Sequence, residues 1–598
     1  MRNTAVKRSM LVIFACFMVL SLALSGCGGA TNNQGASTAS NTTTSGAGTA
    51  EGSTQASAID HSKELTIDVY DNAANYQGEQ TGWYAKVLKD KLNLKLNMLA
   101  PQVAGDQLYK TRSAAGNLGD LLIIDNSQLE ECIQAGLVAD MTDLVKNSPN
   151  LSKYTDNHFK VYNASFKKVN PDGRIYGLPT FEVDSSPVKF SEEYPYSSPI
   201  LPWKYYSGIG APAIANLNGL LDVLDQMHKK FPTTEDGKAI VPITLWKDWD
   251  TWSMENVRWL CGWYGWEQPE GTGSVLLNAK GDIVPFTDDN SMYKQILQFY
   301  FNANQRGLVD PDSASQDWNK VNEKLTGDRV MLLWYTWQRG FYNTIDRGNN
   351  SDGVISVPIA DTHIIQNSDA YYGNGRAFAI GSKAKDPARV MEFIDWISSP
   401  EGMRYVTDGI EGFNYTKNAE GKFELTEAGK TAFQNNTPVP AEYGGGGYQD
   451  GQSKVNTCVL ADMNIDPETG ETYNTNYWSS YLKANQTALI TAWQDKYQAK
   501  NPMDYYTKNN MIDIVPQINM SFGADTSDIK NKRSQCSELI KNTSWKMIFA
   551  KNQAEFDQLW AKMKTDLNGL GWNDVVAQDT ATCRTIADAR AQAMASVK

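Results

Sequence analysis

The sequence predicts an α/β protein in which strands and helices alternate around mostly parallel sheets. Glu64 to Tyr70 alternates like a strand, Gly82 to Leu92 has one apolar helical face, and Lys95 to Leu99 is a second strand. Strand–helix–strand order is typical of parallel sheets. The apolar run from Leu121 to Ile124 indicates a strand covered on both faces. With 598 residues, the chain can form two or more such domains.

A further strand followed by two helices is predicted near the middle of the chain. Arg376 to Ile380 is a short apolar strand. Asp386-Pro387 and Ser399-Pro400 each place a capping side chain before a proline, whose missing N–H costs nothing at the first helical position. Glu411 and Asn414 then lie in a loop that emerges from packed structure.

Residues 1–27 have the pattern of an export signal. Three basic residues precede the apolar run Met10 to Leu24, which is too short for a comfortable membrane span. The run ends in Leu24-Ser25-Gly26-Cys27, which resembles a bacterial lipobox, where cleavage leaves a diacylglycerol on Cys27. Two acyl chains give stable membrane anchoring. The alternative is a plain signal peptide with a chance cysteine.

Residues 28–60 are built almost wholly from small and polar residues. Such a composition cannot bury a core and is typical of a flexible linker. A linker of this length has a root-mean-square span of roughly 30 Å. We therefore expect a tether that holds the body of the protein away from a membrane surface.

Charge and cysteine spacing exclude several classes of protein. The net charge of −13 argues against nucleic acid as a partner. Five cysteines lie beyond the signal, widely spaced and without a C-x-x-C, which predicts isolated buried thiols: Cys132, Cys261, Cys458, Cys536 and Cys583. Asp462 to Asp466 has the alternating oxygens of a calcium loop but lacks its glycine and its final glutamate. No metal and no cofactor are predicted.

Polar residues follow two of the predicted parallel strands. Asn72 and Tyr76 come after the first strand, and Asp125 and Asn126 come after the third. Ligands of open α/β sheets bind outside the carboxyl ends of the strands. These groups suit a polyhydroxyl ligand. Alternatively, each aspartate or asparagine is a helix cap or a turn residue.

Aromatic residues follow two later strands. Trp246, Trp249 and Trp252 sit beside aspartates after an apolar strand, and Trp334 and Trp337 end another. Tryptophans among charged residues favour an aromatic platform that stacks on sugar rings. The alternative is that they pack in the core.

Several motifs occur in the order found in extracellular solute-binding proteins of family 1, and the chain resembles that maltose-binding-type family. The motifs are a Gly-Asp-apolar strand at 119–125 with AGLVADMTDLV after it, DG-x-x-YG-x-P at 172–179, LVDPD at 308–312 and the loop GIEGFNY at 409–415. The resemblance covers roughly residues 61–598.

The resemblance implies an α/β, two-lobed periplasmic-binding-protein-like fold (type II), with two open, mostly parallel sheets flanked by helices and a hinge between the lobes. It also implies a division of the chain into six segments. These are the signal peptide 1–27, the tether 28–60, lobe 1 first segment 61–183, lobe 2 184–372, lobe 1 return segment 373–440, and a C-terminal segment 441–598 packing across both lobes.

The implied function is that of a lipid-anchored substrate-binding component of an ABC importer on the outer face of the bacterial membrane. Such a protein captures a solute by hinge closure and delivers it to the permease; we expect a carbohydrate, an oligosaccharide because of the aromatic content, and a monomer without catalytic activity. Two alternatives stay open. One is a binding lipoprotein of the same fold for a peptide or another small solute, and the other is an extracellular carbohydrate-active enzyme.

The predicted ligand residues combine the strand ends, the tryptophans, the return crossing and the loop after the second proline-capped helix. For a peptide ligand, Arg376 and Asp125 are the charged partners of its termini. The full set is Trp334, Trp337, Trp246, Trp249, Tyr371, Tyr372, Asn72, Tyr76, Asp125, Asn126, Arg376, Glu411 and Asn414, with lipidation at Cys27.

Overall fold

A computed structural model describes residues 59–597, apart from residues 106, 270, 433–435, 456, 521 and 523–524. The predicted signal peptide, its Cys27 and almost all of the predicted tether lie outside the described residues. Ala58–Lys598 form one compact unit that contains every hydrophobic cluster of the described chain. None of the described helices is both long enough and apolar enough to span a bilayer.

Strands and helices alternate along this unit. The strands are β1 Leu65–Asp71, β2 Gly78–Glu79, β3 Leu94–Leu99, β4 Leu121–Asp125, β5 Leu178–Thr180, β6 Ser197–Pro202, β7 Trp266–Glu267, β8 Val275–Asn278, β9 Ile283–Pro285, β10 Leu333–Tyr335, β11 Val354–Ser356, β12 Ile364–Asn367, β13 Asn374–Ile380, β14 Tyr415–Lys417, β15 Phe423–Leu425 and β16 Ile512–Val515.

The first twelve helices belong to the chain before the return strand β13. They are α1 Gly82–Leu92, α2 Pro101–Ala104, α3 Gln107–Ala114, α4 Asn126–Gln134, α5 Thr142–Lys146, α6 Lys160–Ala164, α7 Trp203–Gly208, α8 Leu217–Lys230, α9 Glu255–Cys261, α10 Met292–Gln305, α11 Trp318–Thr326 and α12 Ile345–Asn349.

The remaining helices follow β13. They are α13 Pro387–Ile397, α14 Pro400–Thr407, α15 Glu427–Thr431, α16 Tyr448–Gly451, α17 Ser479–Ala484, α18 Ala488–Tyr497, α19 Pro502–Lys508, α20 Ser527–Ile548, α21 Gln553–Gly569 and α22 Trp572–Ser596.

Lobe 1 is built on a six-stranded sheet in the order β2-β3-β1-β4-β13-β5. β1 runs parallel to β3 and β4, as the strand–helix–strand pattern predicts, while β13 runs antiparallel to β4 and β5. Leu121 to Ile124 of β4 are fully buried, which confirms the prediction of a strand covered on both faces. The carboxyl ends of β1 and β4 therefore lie beside the start of β13.

The two proline-capped helices form as predicted. Asp386 Oδ1 accepts from the backbone N–H of Arg389, and Ser399 Oγ accepts from that of Gly402, both at 3.1 Å. α13 then buries its apolar face against the sheet of lobe 1. These contacts fix the return segment next to the sheet whose strand ends carry the polar residues.

Lobe 2 is organised around β6, which pairs antiparallel with β10 on one side and β11 on the other. The apolar strand predicted before Trp246 does not form a regular strand; the chain makes only two isolated parallel bridges there, from Val241 to Val330 and from Ile243 to Val309. The helices α8, α10, α20 and α21 contribute to one hydrophobic cluster around these strands.

The five cysteines beyond the signal are buried free thiols.

Three stretches connect the lobes. The first follows β5, where Glu182 bridges to Leu460, and the second lies between β12 and β13. The third lies between α17 and α18. Ser480 Oγ of α17 donates to Phe423 O in lobe 1, whereas Trp493 Nε1 of α18 donates to Ser356 O in lobe 2. Tertiary pairing therefore divides the C-terminal part of the chain between both lobes.

Candidate functional site

Polar side chains meet at the strand ends of lobe 1. Asn72 Nδ2 donates to Asp125 Oδ2 at 3.1 Å and to Gln128 Oε1 at 2.5 Å. Arg376 pairs in register with Asp125 across β13 and β4, and its Nη1 lies 3.5 Å from Asp71 Oδ1. The structure therefore brings three predicted residues, Asn72, Asp125 and Arg376, into one group.

Asn126 extends this group towards lobe 2. Its Nδ2 donates to Asn519 Oδ1 at 2.6 Å, and its Oδ1 accepts from Tyr162 Oη at 2.6 Å. Asn519 follows β16 of lobe 2, and its own Nδ2 donates to Asn374 O at 2.7 Å. We call Asn72, Asp125, Asn126, Arg376 and Asn519 the strand-end cluster. Sequence reasoning missed Asn519, because no local pattern marks an asparagine 393 residues away from its partner.

Lobe 2 carries a continuous set of partly exposed aromatic rings. Trp249 and Trp318 have centroids 4.8 Å apart, Trp318 and Trp337 5.2 Å, and Trp337 and Phe341 5.8 Å. A second group, Tyr196 and Trp259 at 5.0 Å, joins them through Tyr335. We call the partly or fully exposed residues of this set the aromatic wall: Tyr196, Trp249, Trp259, Trp318, Trp337 and Phe341.

Trp246 and Trp334 lie behind the wall, in the core. Each is 1% exposed, and their rings stack at 5.2 Å and 2°. Neither ring face is free in this structure, so a direct contact with a ligand stays a prediction for these two residues. Trp249 and Trp337 are the predicted tryptophans that reach the surface. The wall also contains Trp318, the first residue of α11, which the sequence motifs do not single out.

One buried carboxylate orients part of the wall. Glu255 Oε1 accepts from Trp259 Nε1 at 2.6 Å and from Tyr335 Oη at 2.7 Å, and its Oε2 accepts from Arg258 Nε at 2.6 Å. Burial, together with the neighbouring charge of Glu255, raises the pKa of Tyr335 well above its ordinary value. The tyrosine therefore stays protonated and keeps donating to the carboxylate, which holds the rings in fixed orientations.

One side of the wall is attached to a strand that leads into a crossing. Thr336 N donates to Tyr196 O at 3.0 Å, and Tyr196 N donates to Gln366 Oε1 at 2.8 Å. Gln366 belongs to β12, which continues directly into the second crossing. Tyr196 and the segment that carries Trp337 are thus attached to the strand that leads into the second crossing.

A buried pair of titratable groups joins the first two crossings. His158 Nδ1 lies 2.7 Å from Glu182 Oε2 and 2.8 Å from Tyr371 O, and the rings of His158 and Tyr371 are 4.5 Å apart. Burial raises the pKa of Glu182 to about 7. Burial opposes the charge of His158, but the hydrogen bond and the charge of Glu182 outweigh it and leave the pKa of His158 raised. Tyr372 packs edge-on against Tyr371 at 4.9 Å.

Two predicted site residues, Tyr76 and Asn414, make side-chain hydrogen bonds within their own loops, and a third, Glu411, is exposed. Tyr76 Oη donates to Glu79 O at 2.8 Å. Asn414 is buried, and its Oδ1 accepts from Ile410 N at 2.9 Å, which closes the loop after α14. Glu411 is exposed on that same loop. A ligand role for these three stays a prediction.

Side chains of the loop Asp462 to Asp466, whose sequence resembles a calcium loop, make hydrogen bonds to other parts of the protein. Asp466 accepts from Arg404 Nε at 2.6 Å and Nη2 at 2.8 Å, and Asn464 Nδ2 donates to Glu182 O at 2.7 Å. Within the described part of the chain, no group of three or more histidine, cysteine or acidic side chains is arranged to hold a metal ion.

Residues 74–404, a little more than half of the chain, match the family of bacterial extracellular solute-binding proteins. The chain belongs to this family. Over 276 residues, this solute-binding protein is 24% identical to the fructooligosaccharide ABC transporter substrate-binding protein FusA of Streptococcus pneumoniae. That match covers 44% of this chain and 47% of the relative, so the chain spans about half the length of the curated relative that it matches.

Solved structures of related architecture cover nearly all of this solute-binding protein. An HMO-binding, ABC-transporter-associated solute-binding protein of Bifidobacterium longum infantis has a TM-score of 0.58 at 14% identity, covering 88% of this chain and 99% of its own. FusA of S. pneumoniae in complex with kestose scores 0.57 at 15% identity, with 87% and 99% covered. The alginate-binding protein AlgQ2 scores 0.58 at 16% identity, with 88% and 98% covered. These likenesses establish the two-lobed type II fold.

Proposed function

We propose that this chain is the extracytoplasmic substrate-binding component of an ABC importer and that it captures an oligosaccharide between its lobes. The aromatic wall of lobe 2 is the observation that carries this proposal. Six partly or fully exposed aromatic residues, held by one another and by Glu255, form a largely apolar surface. Such amphipathic aromatic surfaces suit the flat faces of sugar rings. The named relatives that bind fructooligosaccharide, kestose or alginate support a carbohydrate ligand.

The strand-end cluster supplies the hydrogen-bonding half of the proposed site. Asp125 contributes carboxylate acceptors, Arg376 contributes guanidinium donors, and the amides of Asn72 and Asn126 both donate and accept. Sugar hydroxyls need donors and acceptors side by side. The cluster lies at the carboxyl ends of β1 and β4, where open α/β sheets bind ligands.

Hinge closure would bring the wall and the strand-end cluster onto opposite sides of the same ligand. The crossings carry the buried pair His158 and Glu182, and Asn519 already bridges from lobe 2 to Asn126. The protein needs no catalytic group for this role, because the importer's other subunits would hydrolyse ATP. The proposed attachment of Cys27 to a lipid would keep the binding protein beside its permease.

Isothermal titration of residues 28–598 with fructooligosaccharides, uronate oligomers and short peptides tests the proposal. We expect saturable binding of at least one oligosaccharide, with the sugar recovered unchanged by chromatography. Cleaved sugar would assign the protein to the enzymes instead. Binding of peptides alone would contradict the carbohydrate proposal and leave the family assignment intact.

A further inference from the structure

Helix α9 carries three side chains of different chemistry on one face. Glu255, Arg258 and Trp259 are spaced i, i+3 and i+4, and residues at this spacing are neighbours on a helix surface. Glu255 is buried, whereas Arg258 and Trp259 are partly exposed. Since Trp259 belongs to the aromatic wall, the guanidinium of Arg258 lies at an edge of the wall.

The Arg258 guanidinium is held by two neighbours. Its Nε donates to Glu255 Oε2 at 2.6 Å, and its Cζ lies 4.9 Å from the centroid of the Trp259 ring. Glu255 is itself fixed, because its Oε1 accepts from Trp259 Nε1 and from Tyr335 Oη. A side chain that is already ordered loses less conformational entropy when it binds a ligand.

Two of the three nitrogen atoms of this guanidinium are open to a ligand. Nη1 and Nη2 of Arg258 have no hydrogen-bond partner among the described residues, and neither atom is buried. The side chain as a whole is 24% exposed. These N–H groups therefore reach solvent beside the part of the wall that Trp259 and Tyr196 form, where the two rings are 5.0 Å apart.

The ion pair with Glu255 decides which ligand atoms suit these donors. A guanidinium presents parallel N–H groups that can bind two neighbouring acceptors at once. The charge of Arg258 is already offset by Glu255, and the same carboxylate would repel a second carboxylate brought to the guanidinium by a ligand. Adjacent hydroxyl oxygens of one sugar ring are uncharged acceptors that can meet both donors.

We propose that Arg258 is a specificity-determining residue of the oligosaccharide site, where its Nη groups donate to two adjacent hydroxyls of a neutral sugar ring lying against the wall. The inference rests on the proposed function and narrows its substrate class to neutral oligosaccharides. Sequence motifs do not single out Arg258, because its place at the wall depends on the fold that exposes Trp259.

Isothermal titration of residues 28–598 with kestose, maltotriose, cellotriose, mannotriose and trigalacturonate tests this role. We expect a neutral trisaccharide to bind more tightly than trigalacturonate. Arg258→Met removes the donors and should lower the affinity for that trisaccharide about tenfold or more, as hydrogen bonds from a charged group predict. Arg258→Lys keeps a cation beside Glu255 without the paired donors, and should bind at least about threefold more weakly than the wild type.

Monodeoxy analogues of the same trisaccharide separate a direct contact from a structural role. The wild type should bind the analogues that lack either of two adjacent hydroxyls more weakly than the parent sugar, and Arg258→Met should bind these analogues and the parent equally. A merely structural role would lower the affinity for the parent and for every analogue by the same factor. Arg306→Met is the matched control, because Arg306 pairs with Asp222 at 2.8 Å outside the wall, and it should bind like the wild type.

The outcomes distinguish this inference from the proposed function. Wild-type affinity in Arg258→Met, or in Arg258→Lys if only that variant folds, would overturn the role of Arg258, and so would a uniform loss across the analogues. Tighter binding of trigalacturonate than of every neutral trisaccharide would overturn the neutral class. Absence of any oligosaccharide binding by the wild type would overturn the proposed function together with this inference, whereas each of the other outcomes leaves the proposed function standing.

Discussion

Trp246 and Trp334 stack face to face in lobe 2, with ring centroids 5.2 Å apart and ring planes within 2°. Both indole N–H groups are buried without an acceptor among the described residues. The two indole rings are thus held by packing and not by hydrogen bonds of their own N–H groups. Behind the wall, it forms the apolar floor on which Trp249 and Trp318 rest, at 5.4 and 5.1 Å from Trp246.

Replacement of Trp334 by alanine should destabilise the protein strongly. Removing a fully buried tryptophan leaves a large cavity, and such changes cost about 3–5 kcal/mol. Trp337→Ala, at the partly exposed surface of the same cluster, should cost clearly less. Urea denaturation of both variants measures the difference. Equal losses for the two variants would contradict the assignment of Trp334 to the core.

The double variant Trp249→Ala/Trp337→Ala should lose at least about tenfold in oligosaccharide affinity, because tryptophans at the centre of a binding surface contribute most of its energy. Isothermal titration with the best oligosaccharide measures the loss. Trp252→Ala is the matched control, since Trp252 is an exposed tryptophan of the same loop that lies near Arg533 and outside the wall. A larger loss in the control than in the wall variant would refute the wall as the binding surface.

Asn126 and Asn519 should be energetically coupled. Their amides share a hydrogen bond of 2.6 Å between a strand end of lobe 1 and a segment of lobe 2. In a double-mutant cycle with alanine, we expect a coupling of about 0.5–3 kcal/mol in the free energy of unfolding. Pairing Asn126→Ala with Asn319→Ala, an exposed residue of α11, should give additive effects. Additivity of the Asn126 and Asn519 substitutions would show that the bridge contributes nothing.

The crossing pair should make stability fall as pH rises. The pKa of Glu182 is raised by burial from 4.5 to about 7, and that of His158 is raised from 6.5. Between the unfolded and the folded pKa of each group, the folded protein therefore binds more protons than the unfolded chain. For Glu182 the stability is lost from about pH 5 to pH 7, and for His158 it is lost above its unfolded pKa.

Unfolding free energies between about pH 5 and pH 8 check this sign. The double variant His158→Gln/Glu182→Gln removes both titrations and should flatten the slope relative to the wild type. Its overall stability is not the readout, because the substitutions also change the packing at the crossings. A variant slope as steep as that of the wild type would assign the pH dependence to other groups.

Local signals predicted the parts of the fold that depend on neighbouring residues. Asp386-Pro387 and Ser399-Pro400 start helices, because capping and proline placement are decided within four residues. The strand ends of Asn72 and Asp125 meet, because parallel strands place their carboxyl ends at one edge. The polar half of the proposed site was therefore largely predictable.

The remaining features depend on tertiary packing. Trp334 and Trp337 look alike in sequence, but the turn after β10 sends one ring into the core and the other to the surface. The indole of Trp259 is held in the wall by a hydrogen bond to Glu255, and Asn519 lies beside Asn126 through the packing of a segment far away in the sequence. None of these pairings leaves a periodic signal in the sequence.

The most direct test of the account is the intrinsic tryptophan fluorescence of residues 28–598, titrated with an oligosaccharide panel. If a sugar stacks on the wall, one oligosaccharide should shift or quench the emission saturably, and Trp249→Ala/Trp337→Ala should abolish that change while Trp252→Ala keeps it. A panel without any saturable change, or a change that survives the loss of Trp249 and Trp337, would contradict the claim that this chain captures an oligosaccharide on the aromatic wall.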